Sequence, residues 1–329
     1  PATIDFSGLF SNKPLLDKYN KTVPETWEEL IETSKYIIEQ EKANNNKNII
    51  AYNGLYGDNG MCSLIEFIYS CRESYDSPFP KLTSKTAIDA IELIKRIKEE
   101  ISSDEIFSNN LDYSIMKIFN GEALFIKFYY IPGFINQYSP YIVSRMPGIK
   151  KGISGSIQVG YNIGIVSNID EDKLIPAIEA VKYMTSLEVQ KELALKELII
   201  SGITSLYYED NVCSNIRFCE FYRNPQIIMK PKNIYNLDNY YEKFTNYFYE
   251  FLYKNGKASD DLKLFDYFDT TSIPVTTNNN EKEKLENNET GKSTKSNIII
   301  SKILDYHNKE YTNSDLPIYS NFCSINSDE

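Results

Sequence analysis

An α/β fold is what this sequence predicts, and three observations carry the prediction. Segments with apolar residues three and four apart, the period of an amphipathic helix, recur up to about residue 270. Between them lie short, nearly continuous apolar runs such as ALFIKFY at 123–129, the pattern of a strand buried on both faces. The 329 residues are 42% apolar, enough to bury one large core or two lobes.

The elements follow in order. VPETWEEL opens the first strong helix: Thr26 with Glu29 forms a capping box, and Trp27, Leu30, Ile31, Ile37 and Ile38 share one face, so a helix runs from Trp27 to about Ala43. NNNKNIIAYNGLYGDNG at 44–60 reads as a turn, a short strand over Ile49–Tyr52 and a glycine-rich loop. CSLIEFIYSC at 62–71 resumes helical periodicity, and SKTAIDAIELIKRIKEE at 84–100 predicts another helix with Ile88, Ile91, Leu93 and Ile97 inward. Ser114 caps IMKIFN, Gly121 supplies a left-handed C-terminal residue, and a strand over Ala123–Tyr129 follows. SIQVGYNIGIVS at 156–167 predicts a second buried strand, and DEDKLIPAIEAVKYMT at 170–185 a helix with an acidic first turn. Thr185 with Glu188 reads as a second capping box, and the stretch 238–256 as an amphipathic helix that stops at Gly256, with a last helix after Ser259. From Thr271 the chain is polar and Asn-rich, and 273–329 reads as a disordered polar tail or linker, because it buries too little apolar surface to offset its ordering entropy.

Charge and residue counts exclude several function classes. A formal net charge of -11 argues against nucleic acid as a partner, since such binding rests on Lys and Arg contacts to phosphate. No apolar run approaches the ~20 residues of a membrane helix, and the chain opens on Pro1 with no basic-then-apolar leader, as for a processed chain or a fragment. The sequons Asn20-Lys21-Thr22 and Asn288-Glu289-Thr290 are compatible with a secretory setting. The 5 cysteines include no CxxC pair, which argues against a zinc site, and no cofactor motif occurs. If Cys213 and Cys219 share one helix, their axial separation of ~9 Å is too long for a bridge, leaving buried thiols or a bond to a distant cysteine.

The single histidine, His307, lies in the tail, so a Ser/His/Asp or Cys/His site has no base in the folded part. NGLYGDNG matches neither the dinucleotide fingerprint nor the P-loop. Asp58 and Glu66 are one possible glycosidase carboxylate pair, but 46 acidic residues make accidental pairs common. What remains is an abundance of aromatics at element ends, with Asp58, Asn59 and Asn236 near them in sequence. Aromatic faces pack on the C–H face of a sugar ring while amides and carboxylates take its hydroxyls, so this mixture suits a carbohydrate.

Several stretches together resemble the maltose-binding-like branch of the extracellular solute-binding proteins of ABC importers. LFSNKPLLDKYNKTVPETWEEL at 9–30 is similar to the family's strand, YNKDLL-like turn and Pro-x-Thr-Trp-x-Glu helix start; FNGEALF at 119–125 to its helix-to-strand step; and MPGIKKG at 146–152 to its Pro-Gly loop. VGYNIGIVSN with AIEAVKYMTSLEVQKELA resembles its return strand and helix pair, and NGKASDDL at 255–262 the segment before its last helix. The resemblance covers about residues 5–270, and the block that opens the family's chain has no counterpart.

The resemblance implies a type II periplasmic-binding-protein-like α/β fold, two lobes joined by hinge strands with one lobe incomplete. Residues 20–157 and 220–272 of the solute-binding domain 1–272 would form the C-terminal lobe, and 1–19 with 158–219 the hinge strands and partial N-terminal lobe. It implies non-catalytic capture of a small solute, a sugar or oligosaccharide, by lobe closure, for ABC-type import or as a receptor ectodomain, in an extracellular, cell-surface or periplasmic setting. The partners would be the solute and an ABC permease or a fused membrane receptor domain. A glycoside-acting enzyme and a structural or interaction module with a degenerate cleft are the alternatives. The ligand-binding residues implied are Tyr129 and Tyr130 at the strand end, Tyr56, Asp58 and Asn59 in a cleft-edge loop, and Tyr240 and Tyr241 at the start of a late helix.

Overall fold

The structure, a computed structural model, describes residues 2–57, 60–130, 139–217, 219–228 and 237–254. Strand β1 (Thr3–Asn12) leads through helix α1 (Lys13–Lys18) to α2 (Trp27–Ala43), β2 (Ile50–Asn53) and α3 (Gly60–Ser70). Helices α4 (Lys85–Ile101), α5 (Asp104–Phe107) and α6 (Leu111–Asn120) precede β3 (Ala123–Tyr129), β4 (Tyr141–Ser144) and β5 (Gln158–Tyr161). Helices α7 (Glu171–Met184) and α8 (Leu187–Leu195) follow, then a 3-10 turn (Thr204–Tyr208), α9 (Asp210–Cys213), α10 (Cys219–Arg223) and α11 (Leu237–Tyr253).

Local chemistry explains most of these boundaries. Glu29 N–H donates to Thr26 Oγ1 at 3.2 Å while the Glu29 carboxylate accepts Thr26 N–H at 3.3 Å, so the expected capping box opens α2. Gly121 ends α6 at φ 67°, a left-handed conformation open to glycine without steric cost. Helix α6 starts earlier than expected, because Asn110 Oδ1 accepts Tyr113 N–H at 3.0 Å and takes the capping role assigned to Ser114, which is buried inside the helix. Ser186 likewise replaces the expected Thr185 cap of α8: its Oγ accepts Val189 N–H, while the Thr185 hydroxyl turns back onto the Val181 carbonyl at 2.8 Å.

The long strand β1 organises the sheet. Its second half pairs antiparallel with β3 and β4, giving the order β2-β3-β1-β4, while its first half, Thr3–Phe6, pairs with β5 alone. The partner changes between Phe6, opposite Gln158, and Ser7, opposite Tyr129. One face of the sheet packs on α2, α3, α4 and α11, where Trp27 lies tilted against Phe67 at 4.3 Å and its Nε1–H donates to Ser70 Oγ at 2.8 Å. The buried stripe of α4 is Ala87, Ala90, Ile91, Ile94, Ile97 and Ile101, with Ile88 and Leu93 packed on its flanks rather than inside it. The other face carries Phe6, Phe10 and Phe128 against Ile200, Tyr207, Phe221 and Tyr222.

Two further expectations give way here. The strand at 156–167 is regular only over β5, and beyond it Ile163 and Val166 are exposed, because no described strand pairs with that stretch. Cys213 and Cys219 are not buried thiols but a disulfide, with a Cα–Cα distance of 5.3 Å. They do not share one helix: α9 ends at Cys213 and α10 begins at Cys219, and the reversal between them brings the two together. The expected helix after Ser259 and the tail 273–329 lie outside the described residues.

Candidate functional site

The end of β3 lies beside the point where β1 changes partners, held by a hydrogen bond from Tyr130 N–H to the Phe6 carbonyl at 2.9 Å. Side chains alternate along a strand, so Tyr129 and Tyr130 leave it on opposite faces. Tyr129 packs with Cys62, Ile157 and Val159, its ring 5.6 Å from Lys127 Nζ. Its hydroxyl is buried with no hydrogen-bond partner among the described residues, and burial pushes its pKa up. Tyr130 faces Tyr222 at 5.8 Å, and Tyr222 faces Tyr207 at 5.1 Å. Tyr130, Glu197, Ile200, Tyr207, Ile216 and Tyr222 enclose about 10 Å³, room for one water and not for a sugar ring.

The other expected residues scatter. Tyr56 is a buried ring stacked on Phe107 at 4.9 Å, and its carbonyl accepts the Tyr249 hydroxyl at 2.7 Å. Asp58 and Asn59 lie outside the described residues, and Tyr240 and Tyr241 fall in the first turns of α11, where the structure describes the backbone alone.

Two carboxylates that the sequence reading did not place in the site stand at this junction. Asp5, on β1 opposite Val159, is mostly buried, and burial alone pushes its carboxyl up to about 6. Its charge acts in turn on Tyr207, raising the phenol further. The signal was a lone acid inside the apolar strand TIDFSGLF. Glu66, on α3, is fully enclosed. Its Oε2 accepts the Ser7 hydroxyl and the Ile157 N–H at 2.9 Å, and its Oε1 lies 3.7 Å from Lys127 Nζ. Lys127 also donates to Ser63 Oγ at 2.8 Å. Burial pushes the Glu66 pKa up and the Lys127 pKa down, and each partner's charge opposes the shift. A carboxylate held in this way is not available to protonate a glycosidic oxygen, so the Asp58–Glu66 pair loses its one described member.

A separate groove of about 570 Å³ lies between α3 and α4, lined by Cys71, Thr86, Asp89, Ile149 and Lys150 among others. It carries no aromatic side chain, and burial pushes the Cys71 thiol up to about 12, which leaves it a poor nucleophile. Among the described residues no group of three or more His, Cys, Asp and Glu side chains could hold a metal ion, and no helix is long and apolar enough to cross a membrane.

Known proteins share this architecture. Maltose-bound MalE3 of T. maritima is similar with a TM-score of 0.64 at 19% identity, over 80% of this chain and 69% of its own. The GacH receptor of Streptomyces glaucescens, solved unliganded and with acarbose, is similar at 0.61 and 17%, over 80% and 68%. Lmo0181 of Listeria monocytogenes, an ABC substrate-binding protein in complex with cycloalternan, is similar at 0.61 and 14%, over 82% and 70%. These likenesses give the type II periplasmic-binding fold, two lobes joined by hinge strands, with one lobe represented in part. Residues 1–191 match the model of the bacterial extracellular solute-binding proteins. With a match over more than half its length, and with β1 shared between two sheet portions as a hinge strand requires, the chain belongs to the bacterial extracellular solute-binding protein family.

Proposed function

We propose that this chain binds a carbohydrate outside the cytoplasm and hands it to an ABC-type permease, with no chemical step on the ligand. One observation carries the reading: the aromatic end of β3 lies against β1 at the level where β1 passes from one sheet portion to the other. Closure of two lobes about such strands brings walls from both onto a solute. The ligands of the structural neighbours, maltose, acarbose and cycloalternan, are all sugars or sugar analogues, which supports the class without choosing a member.

In this reading Asp5 is the acceptor for a sugar hydroxyl, its partial burial being the cost of holding a carboxylate ready, and Tyr130, 2% exposed against Tyr222, meets the sugar ring only when the lobes part. Tyr129 backs the wall from the opposite face. Tyr56, a buried ring stacked on Phe107, takes no part in the site in this reading. Calorimetric titration with maltose, acarbose and cycloalternan tests it, with thermal melts in parallel. Tyr130→Ala should lose about 1–3 kcal/mol of affinity and, since its buried ring leaves a cavity against Tyr222, should lower the melting temperature as well. Tyr129→Ala should destabilise the fold by about 3–5 kcal/mol. A chain that binds no sugar in a broad panel removes the carbohydrate reading, and equal affinity in Tyr130→Ala removes this strand end from the site.

A further inference from the structure

Glu66 stands where β1 changes partners. Phe6 is the last residue of β1 in register with β5 and Ser7 the first in register with β3, and across that step Ser7 N–H donates to the Ile157 carbonyl at 3.2 Å while the Ile157 amide does not return to the Ser7 carbonyl. The second chain segment to cross this level is Ser156–Ile157, which leads into β5. The Ile157 amide finds its acceptors in two side chains, Glu66 Oε2 at 2.9 Å and Ser7 Oγ at 3.2 Å. Ser156 Oγ donates to the Ser7 carbonyl at 3.0 Å, and the Ser7 hydroxyl donates to Glu66. One carboxylate therefore takes the Ile157 amide in place of the Ser7 carbonyl and holds the Ser7 side chain as well, touching both crossing segments at once.

That carboxylate belongs to the larger body. Glu66 is on α3, four residues after Cys62 and within the helix that packs on Trp27 through Phe67. Its counter-ion Lys127 is on β3, two residues before Tyr129, and is tied to α3 again through Ser63. Burying both charges is costly, and an apolar pair of similar volume would often be more stable. The arrangement calls for a reason other than stability.

We propose that Glu66 is the positioning residue of the hinge, pinning Ser7 and Ile157 to the larger body so that opening is confined to residues 3–6 and 158–161. Beyond the pin, β1 and β5 hold each other by backbone bonds alone, together with the Ile4 N–H bond to the Ile200 carbonyl at 2.9 Å. Those bonds bend with the moving lobe, while the strand end at Tyr129 and Tyr130 keeps its place relative to α3. This inference rests on the lobe-closure reading above, and its test uses no sugar, so the two fail separately.

The test is hydrogen exchange on the intact chain, resolved along β1 and 156–161. In the unaltered protein a step in protection should fall between 156–157, slow, and 158–161, fast, with the matching step in β1 between Phe6 and Ser7. The double variant Glu66→Leu with Lys127→Met keeps the volume and removes the acceptor and both charges. In it, exchange at Ile157 should rise about tenfold or more, the effect of losing a buried hydrogen bond to a charge, with Ser7 following through its bond to the Ile157 carbonyl, while α2 and β3 stay slow. Glu66→Gln, which keeps one acceptor oxygen, should restore part of the step. A step that stays in place in the double variant overturns the proposal, and so does a uniform rise across α2, β3 and β5, which marks a purely structural role. If the double variant does not fold, Ser7→Ala decides: the step must weaken there at 156–157 without a change in α2, and an unchanged step overturns the pin.

Discussion

Two regions of the molecule use the same kind of sequence to opposite ends. Around Trp27, apolar residues of α2, α3 and α4 are consumed in one core, and Trp27 itself is 1% exposed. From β5 to the turn after α8, comparable amphipathic patterning leaves Tyr161, Val166, Ile175, Tyr183 and Leu198 exposed, with Tyr183 at 69%. Helix propensity and periodicity make a helix in both places. A helix face becomes a core only where a second layer stands opposite it, and the region of α7 and α8 lacks that layer among the described residues.

Substitutions sharpen this contrast, beginning where the loss is greatest. Trp27→Ala should cost about 3–5 kcal/mol in chemical denaturation, since it opens a cavity against Phe67 and Tyr52 and removes the indole N–H that Ser70 accepts. Glu66→Ala should cost a similar ~3–5 kcal/mol by leaving Lys127 buried and unpaired, and Lys127→Met in that background should recover most of it. Non-recovery would mean that the pair is held for its hydrogen bonds to Ser7 and Ile157 rather than for charge balance.

The smaller effects belong to the second region and its border. Replacing Cys213 and Cys219 by serine opens a short loop and should lower stability by roughly 2 kcal/mol, read as a drop in melting temperature.

Asp5 gives a pH-dependent effect. Its folded pKa of about 6 lies above its ordinary value of 3.8, so between those values the native state holds a proton that the unfolded state releases. Stability therefore falls as pH rises through that window. Asp5→Asn should gain about 1–2 kcal/mol near pH 7.5 and almost nothing at about pH 4, and melts at both pH values check it. Last, Tyr183→Ser should change stability by less than about 0.5 kcal/mol, because an exposed ring gives up little on removal. A larger loss would show that α7 is covered in solution and would break the contrast.

The legible part of the fold was the part written in local signals. The Thr26–Glu29 box, Gly121 and the run 123–129 place α2, the end of α6 and β3 where the sequence alone puts them, since each rests on contacts within a few residues. Capping was legible in kind but ambiguous in position: Asn110 and Ser114, or Thr185 and Ser186, offer equivalent oxygens, and the neighbouring packing selects between them. The site was less legible. TIDFSGLF shows that Asp5 is unusual but not that it stands opposite Val159, and nothing near Glu66 in sequence points to Lys127 or Ser7.

By itself the sequence determined the α/β class, the amphipathic faces, the apolar strands and a resemblance carried by short motifs, because these depend on period and on neighbours along the chain. Only the tertiary structure decided that Tyr129 and Tyr130 part to opposite faces, that β1 changes partners at Ser7, and that Glu66 accepts the Ser7 hydroxyl and the Ile157 amide there. It also decided that Cys213 reaches Cys219. Each of these depends on which distant residue fills the space beside a side chain, and burial, which sets that choice, is a property of the assembled layers and not of any local stretch.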